Sequence, residues 1–329
     1  MRILAFDKSG APTLGIRRGD EVVDLSVAAP ELPGDLPALL AGGEAAMAKA
    51  KAAAENPAGA AVLSAEGLTY HPTIWNPGKI ICVGLNYAAH AAEAQSDTST
   101  VQEYPSLFLR VATTLVGHEQ PLVVPKASSN LDYEAEMVAV VGKAGQGISK
   151  ANALDHIAVY SVFNEGSIRD YQFKSSQWTS GKNFDGTGGF GPDFVTADEV
   201  PAGGKGLRIQ TRLNGTTMQD ANTATMIFDV PTLIEIISEV MTLLPGDIIV
   251  TGTPEGVGFA RKPPVWMTPG DVCEIDLEGG GGGGDTKLPA HRKKKIKQDI
   301  MKFSAGLTGA FFLRKGRCFG QIGASRFRY

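Results

Sequence analysis

The stretch Asn130–Val141 (Asn-Leu-Asp-Tyr-Glu-Ala-Glu-Met-Val-Ala-Val-Val) constrains this chain more than any other. Val, Tyr and Met dominate it and Gly142 closes it, so it reads as a β-strand. Successive side chains on a strand face opposite sides. Glu134 and Glu136 therefore share a face, with α-carbons about 6.6–7 Å apart. That face continues into Val138 and Val140, while Leu131, Tyr133, Ala135, Met137, Ala139 and Val141 line the other. Two arrangements satisfy the pattern. One is an edge strand with solvated glutamates. In the other, the apolar continuation buries the strand. The two like charges then sit at the mouth of something enclosed and need a cation or a proton between them.

The 329 residues suffice for one large or two modest domains, and 43% hydrophobic with 20% charged residues allow a sizeable core. No apolar run reaches roughly 18 residues, so no membrane span is expected. Met1-Arg2-Ile3-Leu4-Ala5-Phe6 reads as a short strand and lacks the long apolar stretch of a signal peptide. Cys82, Cys273 and Cys318 are too few for a disulfide framework and show no metal-ligand spacing. The cytoplasm is the expected compartment. The net charge of −4 hides an asymmetry. From Asp285 onward twelve Lys and Arg stand against two Asp, a net of +10; the preceding residues hold 19 basic and 33 acidic side chains, a net of −14. An acidic body argues against nucleic acid as a partner.

Residues 1–70 read as a small N-terminal α/β domain. It has strands at Arg2–Phe6, Pro12–Ile16 and Glu21–Leu25, then an Ala-rich helix over Leu36–Ala54. No histidine precedes His71, and the expected role is packing or lid support. Residues 71–278 hold the motifs that can carry chemistry. Lys79–Gly84 is a buried strand leading into a helix that bears His90 and Glu93 at i and i+3 on one face. A carboxylate so placed orients the imidazole and raises its basicity, although such pairs also occur as plain surface contacts. The polar run 95–104 suits a loop over a pocket. Tyr160–Phe163 begins a strand ending near Glu165, followed by a short helix with Arg169 and Gln172. A Gly-rich loop over 178–192 contains Lys182 but lacks the order of a phosphate-binding P-loop. Strands at Leu207–Leu213, Ile248–Thr251 and Asp271–Leu277 follow, with a hairpin turn at Asn214-Gly215 and an apolar helix over Val230–Leu243. A second Gly-rich loop spans 252–258.

Five of these segments, in this order, resemble the fumarylacetoacetate hydrolase family. They are Gly-Leu-Asn-Tyr-Ala-Ala-His-Ala-Ala-Glu (84–93), Asp-Tyr-Glu-Ala-Glu (132–136), Asn-Glu-Gly-Ser-Ile-Arg-Asp-Tyr-Gln (164–172), Gly-Lys-Asn-Phe-Asp (181–185) and Thr-Gly-Thr-Pro-Glu-Gly-Val-Gly (251–258). The resemblance covers residues 1–278, most strongly 78–278. It implies an α+β, mainly β fold: a mixed β-roll catalytic domain over 71–278 behind the small N-terminal domain, assembled as a homodimer. It implies one divalent metal held by Glu134, Glu136 and Glu165, the last standing where the family carries Asp. Three carboxylates suit Mg²⁺ or Mn²⁺, with Ca²⁺ also compatible, and the lack of Cys and His ligands disfavours zinc.

By the same resemblance His90, oriented by Glu93, activates a water, and Lys182 stabilises an oxyanion. Arg169, Gln172, Gly252 and Thr253 hold the substrate. That substrate is expected to be a small 2-oxo or diketo acid, and the leading expectation is metal-assisted hydrolysis of a C–C bond in an acylpyruvate- or fumarylacetoacetate-like acid. Decarboxylation of oxaloacetate, or hydration or isomerisation of an unsaturated 2-oxo acid in aromatic breakdown, are the alternatives. A non-catalytic metal-binding protein is disfavoured by the presence of His90 and Lys182 beside the acids.

The resemblance stops at Glu278. Six glycines, Gly279 to Gly284, precede a basic tail with Arg292-Lys293-Lys294-Lys295 and Phe311-Phe312-Leu313, without periodicity. A frameshift in a G-rich codon run accounts for residues 279–329 better than a nucleic-acid module, and such a tail is expected to be disordered.

Overall fold

A computed structural model describes residues 1–94 and 103–278 in full, and the backbone of 294–302. Most of the polar run expected over the pocket, residues 95–102, lies outside the described residues, as does the rest of the tail. Among the described residues, thirteen strands form one mixed sheet and five form a second. Helices are few and short beside them, so the fold is α+β and mainly β.

The acidic stretch lies at the centre. Ala135–Val141 pairs antiparallel with Ile157–Glu165 on one side and Ile248–Val250 on the other, and all seven residues are buried. The edge-strand arrangement is excluded. Each face meets its own core. Met137, Ala139 and Val141 pack with Ile209 and Ile275 of the second sheet and with Leu233, Ile234 and Ile237. Val138 and Val140 pack with Ile3, Leu14, Leu36 and Phe163. Burying one such aliphatic side chain contributes about 1.5–3 kcal/mol.

The strand is not continuous over 130–141. Leu131–Asp132 pairs with Ser167–Ile168 in a small sheet of its own, and the main ladder resumes at Ala135. Tyr133 and Glu134 form the break. There the backbone finds other partners: Asn164 Oδ1 accepts from the Glu134 N–H at 3.2 Å, and the Glu165 N–H donates to the Glu134 carbonyl at 2.9 Å. The break re-aims Glu134, while Glu136 stays in register opposite Phe163.

Arg2–Lys8, Ala11–Arg18 and Glu21–Asp24 form an antiparallel meander. Arg2 and Ile3 also pair with Val195 and Phe194, so the large sheet runs through the boundary expected at residue 70. The core is shared too, since Ile3 and Leu39 belong to the same cluster as Val138. The helix expected over 36–54 is two helices, Leu36–Ala41 and Gly43–Glu55, because Gly43 takes a φ of +65°.

Val230–Val240 starts at Asp229, whose carboxylate accepts the Thr232 N–H at 3.0 Å. It buries Val230, Leu233, Ile234 and Ile237 at helical spacing. It stops short of Leu243 because Met241 is extended. In the second sheet, Val272–Leu277 lies between Arg208–Leu213 and Lys294–Lys302. Residues 294–302 are thus a strand inside the tail expected to be disordered. A strand edge with unpaired N–H and C=O groups is a template that an extended segment can complete. No helix among the described residues is long and apolar enough to cross a membrane.

Candidate active site

Glu134 comes from the strand break, Glu136 from the central strand and Glu165 from the end of Ile157–Glu165. One carboxylate oxygen of each lies within 4.8 Å of the others, and all three residues are buried. Register explains the convergence. Ala135 opposes Asn164, so the next pair along is Glu134 with Glu165, and Glu136 follows on the same strand.

The surrounding charges are close. Lys182 Nζ donates to Glu134 and, at 2.8 Å, to Glu165 Oε2. Arg169 donates to Glu134 Oε1 at 2.6 Å, to Asp132 Oδ2 at 2.8 Å and to Gln172 Oε1 at 2.8 Å. Burial disfavours the charged form of Glu134, but Arg169 and Lys182 outweigh it and hold the carboxyl below its ordinary range. Burial also opposes the Lys182 ammonium, and Glu134 with Glu165 overcomes that and raises its pKa. Glu136 accepts the Gly252 N–H at 2.5 Å. Burial, then the charges of Glu165 and Glu134, push Glu136 well above the carboxylate range.

Glu165 Oε1 is buried without a hydrogen-bond partner, and Arg110 stands 3.8 Å away. Asp132, Glu134, Glu136 and Glu165 therefore face Arg169, Lys182 and Arg110, four carboxylates against three cations. An orphaned buried oxygen, a fourth carboxyl whose charge no cation of the cluster offsets and an all-carboxylate donor set fit a hard divalent cation. With neither thiolate nor imidazole among the donors, zinc is a poor match.

The cluster opens on a cavity of about 140 Å³, also lined by His90, Gln172, Trp178, Thr253 and Phe259. That is well below the roughly 300–1,000 Å³ of drug-sized pockets, so the space suits a compact metabolite. Hydrogen-bond direction on this side is fixed by partners that can play only one part. His90 Nδ1 lies 3.0 Å from Glu93 Oε1, and an ionised carboxylate only accepts. Nδ1 therefore carries the proton, and Nε2 is the basic nitrogen of the neutral ring. The Gly256 N–H in turn holds Glu93, at 3.0 Å. Arg169 can only donate, so Gln172 accepts through Oε1 and keeps its N–H groups for other partners.

His90, Lys182, Arg169, Gln172, Thr253 and the three glutamates all line this one cavity, with Glu93 behind His90. Two residues take parts in addition to those expected. Gly252, expected against substrate, gives its N–H to Glu136. Its φ is +97°, and a Cβ there would meet Asn86 Cβ at 2.7 Å, so no larger residue fits. Arg169 has three of its donors engaged by protein acceptors, so it orients Glu134 and Gln172.

Asp132 emerges as a joint: besides Arg169 it accepts the Gly258 N–H at 2.7 Å and the Phe259 N–H at 3.1 Å, tying the second Gly-rich loop to the carboxylates. Its place beside Glu134 and Glu136 was the only sequence signal for it. Trp178 and Phe259 gave none. Trp178 closes the wall over Gly84, where a Cβ would lie 2.1 Å from the indole ring.

The family described as fumarylacetoacetate (FAA) hydrolase, C-terminal, matches residues 79–286. The mitochondrial oxaloacetate tautomerase fahd2 of Xenopus laevis is 38% identical over 284 residues, spanning 84% of this chain and 87% of that protein. Fumarylacetoacetate hydrolase from psychrophilic Exiguobacterium antarcticum has a similar solved structure, with a TM-score of 0.75 at 28% identity, covering 92% of this chain and 100% of that one. Maleylpyruvate hydrolase from Sphingobium sp. SYK-6, solved with manganese(II) and pyruvate, gives 0.73 at 26% identity, with coverage of 92% and 100%. Members of this family are enzymes, and those similar to the chain include hydrolases, isomerases and tautomerases. The motifs now meet in one cavity and the family matches most of the chain, so the protein belongs to the fumarylacetoacetate hydrolase family.

Proposed function

We propose that the protein interconverts the enol and keto tautomers of a small 2-oxo dicarboxylate, with oxaloacetate the first substrate to try. The observation that carries the reading is the compact cavity, in which a basic imidazole nitrogen and three buried carboxylates share one space. The 38% identity to an oxaloacetate tautomerase over most of both chains supports it. Glu134, Glu136 and Glu165 would hold Mg²⁺ or Mn²⁺, which when bound polarises a carbonyl and stabilises negative charge on its oxygen.

The chain's own residues move the proton. In the keto form, His90 Nε2 takes a proton from the carbon beside the carbonyl and returns it to the carbonyl oxygen; the reverse reaction uses the same two steps. Glu93 stabilises the imidazolium in between. Lys182, kept protonated by Glu134 and Glu165, supplies positive charge near the oxygen. Gln172 and Thr253 offer hydrogen bonds to the substrate's oxygens, and Trp178 and Phe259 exclude water.

A second reading is C–C hydrolysis of an acylpyruvate-type acid. The His90–Glu93 pair is compatible with it as well, because the same base can deprotonate a water. Ultraviolet absorbance of oxaloacetate tautomers, measured with Mg²⁺ or Mn²⁺, beside cleavage of acetylpyruvate and fumarylpyruvate, separates the two. Tautomerisation without cleavage is the expected result. Cleavage without tautomerisation would transfer the reading to the hydrolase, and the absence of both would sink the two together.

A further inference from the structure

We infer that Gln219 is a positioning residue that orients the Thr253 hydroxyl, so that this wall of the cavity presents its hydrogen to an acceptor oxygen of the ligand. The inference rests on the reading of the ligand as a 2-oxo acid. Gln219 lies on Thr216–Asn222, outside all five motifs, and is 1% exposed. Its register with Arg208–Leu213 slips at this point. Thr211 opposes Gln219 and Arg212 opposes Thr217, which leaves Met218 as an extra residue. A bulge of this kind bends the strand and re-aims a side chain.

The amide is then pinned on both ends. Gln219 Oε1 accepts from the Ala135 N–H at 3.0 Å and from the Thr211 hydroxyl at 2.6 Å. Nε2 donates to the Pro254 carbonyl at 2.8 Å and to Thr253 Oγ1 at 2.8 Å. The Ala135 N–H can only donate and the Pro254 carbonyl can only accept, so the amide cannot be turned over. Thr253 Oγ1 must therefore accept from Gln219, and its hydrogen points elsewhere. Thr253 lines the cavity, and its hydroxyl makes no other hydrogen bond among the described residues. A freely rotating hydroxyl would serve a donor or an acceptor equally. With one of its two lone pairs already filled by Gln219, this one is biased towards donating, which matches the carboxylate and carbonyl oxygens of a 2-oxo acid.

Titration calorimetry of oxaloacetate into Mn²⁺-loaded protein, run beside turnover, tests the inference. Thr253→Val should weaken binding about 10- to 100-fold, the loss of one hydrogen bond to a charged group, while Thr253→Ser stays within about threefold of wild type. Gln219→Glu would accept from Thr253 and reverse its polarity, weakening binding by a similar factor and raising KM more than it changes kcat. The Gln219→Glu/Thr253→Val double variant should bind no more weakly than the worse single variant. Losses that multiply in the double variant overturn the inference. So does unchanged binding by Thr253→Val, a result that stands even if Gln219→Glu does not fold. A wild-type protein that binds oxaloacetate without interconverting its tautomers refutes the proposed activity and leaves the binding comparison decisive. A wild type that binds neither oxaloacetate nor pyruvate overturns both.

Discussion

The two walls of the cavity are held by different forces. On the carboxylate wall, Asp132, Glu134 and Glu165 are fixed by ion pairs to Arg169 and Lys182, with salt-bridge distances of 2.6–2.8 Å among them. On the other wall, His90 and Thr253 are fixed by single hydrogen bonds to Glu93 and Gln219 that run one way. Buried charges carry a large desolvation cost that only their partners offset, so the first wall ties function to stability. Directional hydrogen bonds carry a smaller cost, so the second wall can set proton positions without holding up the fold. The difference predicts which substitutions unfold the protein and which only silence it.

The harshest break is Arg169→Met, which strips Asp132 of its cation and leaves Glu134 paired with Lys182 alone. It should destabilise the protein by about 3–5 kcal/mol, read by urea unfolding. His90→Ala acts on the other wall. Turnover should fall about 10²- to 10⁴-fold with the unfolding midpoint nearly unmoved, and Mn²⁺ titration should show unchanged affinity; a matching loss of stability would erase the contrast between the walls.

Glu165→Ala removes one of the three proposed metal donors. Mn²⁺ affinity should drop by at least about tenfold, a loss that even outer-shell changes produce, and EDTA should abolish wild-type turnover until Mn²⁺ is restored. Asp229→Ala lies on neither wall and calibrates the comparison. Losing the helix cap should cost about 1 kcal/mol with KM unchanged. Burial disfavours the Asp229 charge, but the Thr232 hydrogen bonds outweigh it and hold its pKa below the ordinary value. The stability it contributes is therefore present above about pH 4 and fades as pH falls through the lower folded-state value.

Much of the cavity was legible in the sequence because its signals are local. Glu134 and Glu136 share a parity, His90 and Glu93 share a helix face, and Glu165 ends an apolar strand. The break at Tyr133-Glu134 was not legible. Nothing in Asp-Tyr-Glu-Ala-Glu interrupts a strand; the interruption comes from Asn164 and Glu165, which capture the Glu134 backbone from across the sheet. The continuity of the N-terminal strands with the large sheet was hidden likewise. It depends on Arg2 and Ile3 meeting residues nearly two hundred positions later. The strand at 294–302 was missed because its composition is basic and irregular. It pairs with Val272–Leu277 along the backbone, and composition says little about that.

Met218 gives the second sheet a significance for comparing relatives. Gln219 faces Thr211 across the ladder, so removing this single residue would let regular alternation resume with Gln219 still beside Thr211, but would take out the bend that aims its amide at Thr253. Every motif from Gly84 to Gly258 would remain intact, letter for letter. Two chains could then share all of their catalytic residues and differ in the orientation of the Thr253 hydroxyl through one indel in a segment that touches no substrate. Segment length over 216–222 is therefore a sorting criterion for relatives, independent of the identity of their catalytic residues.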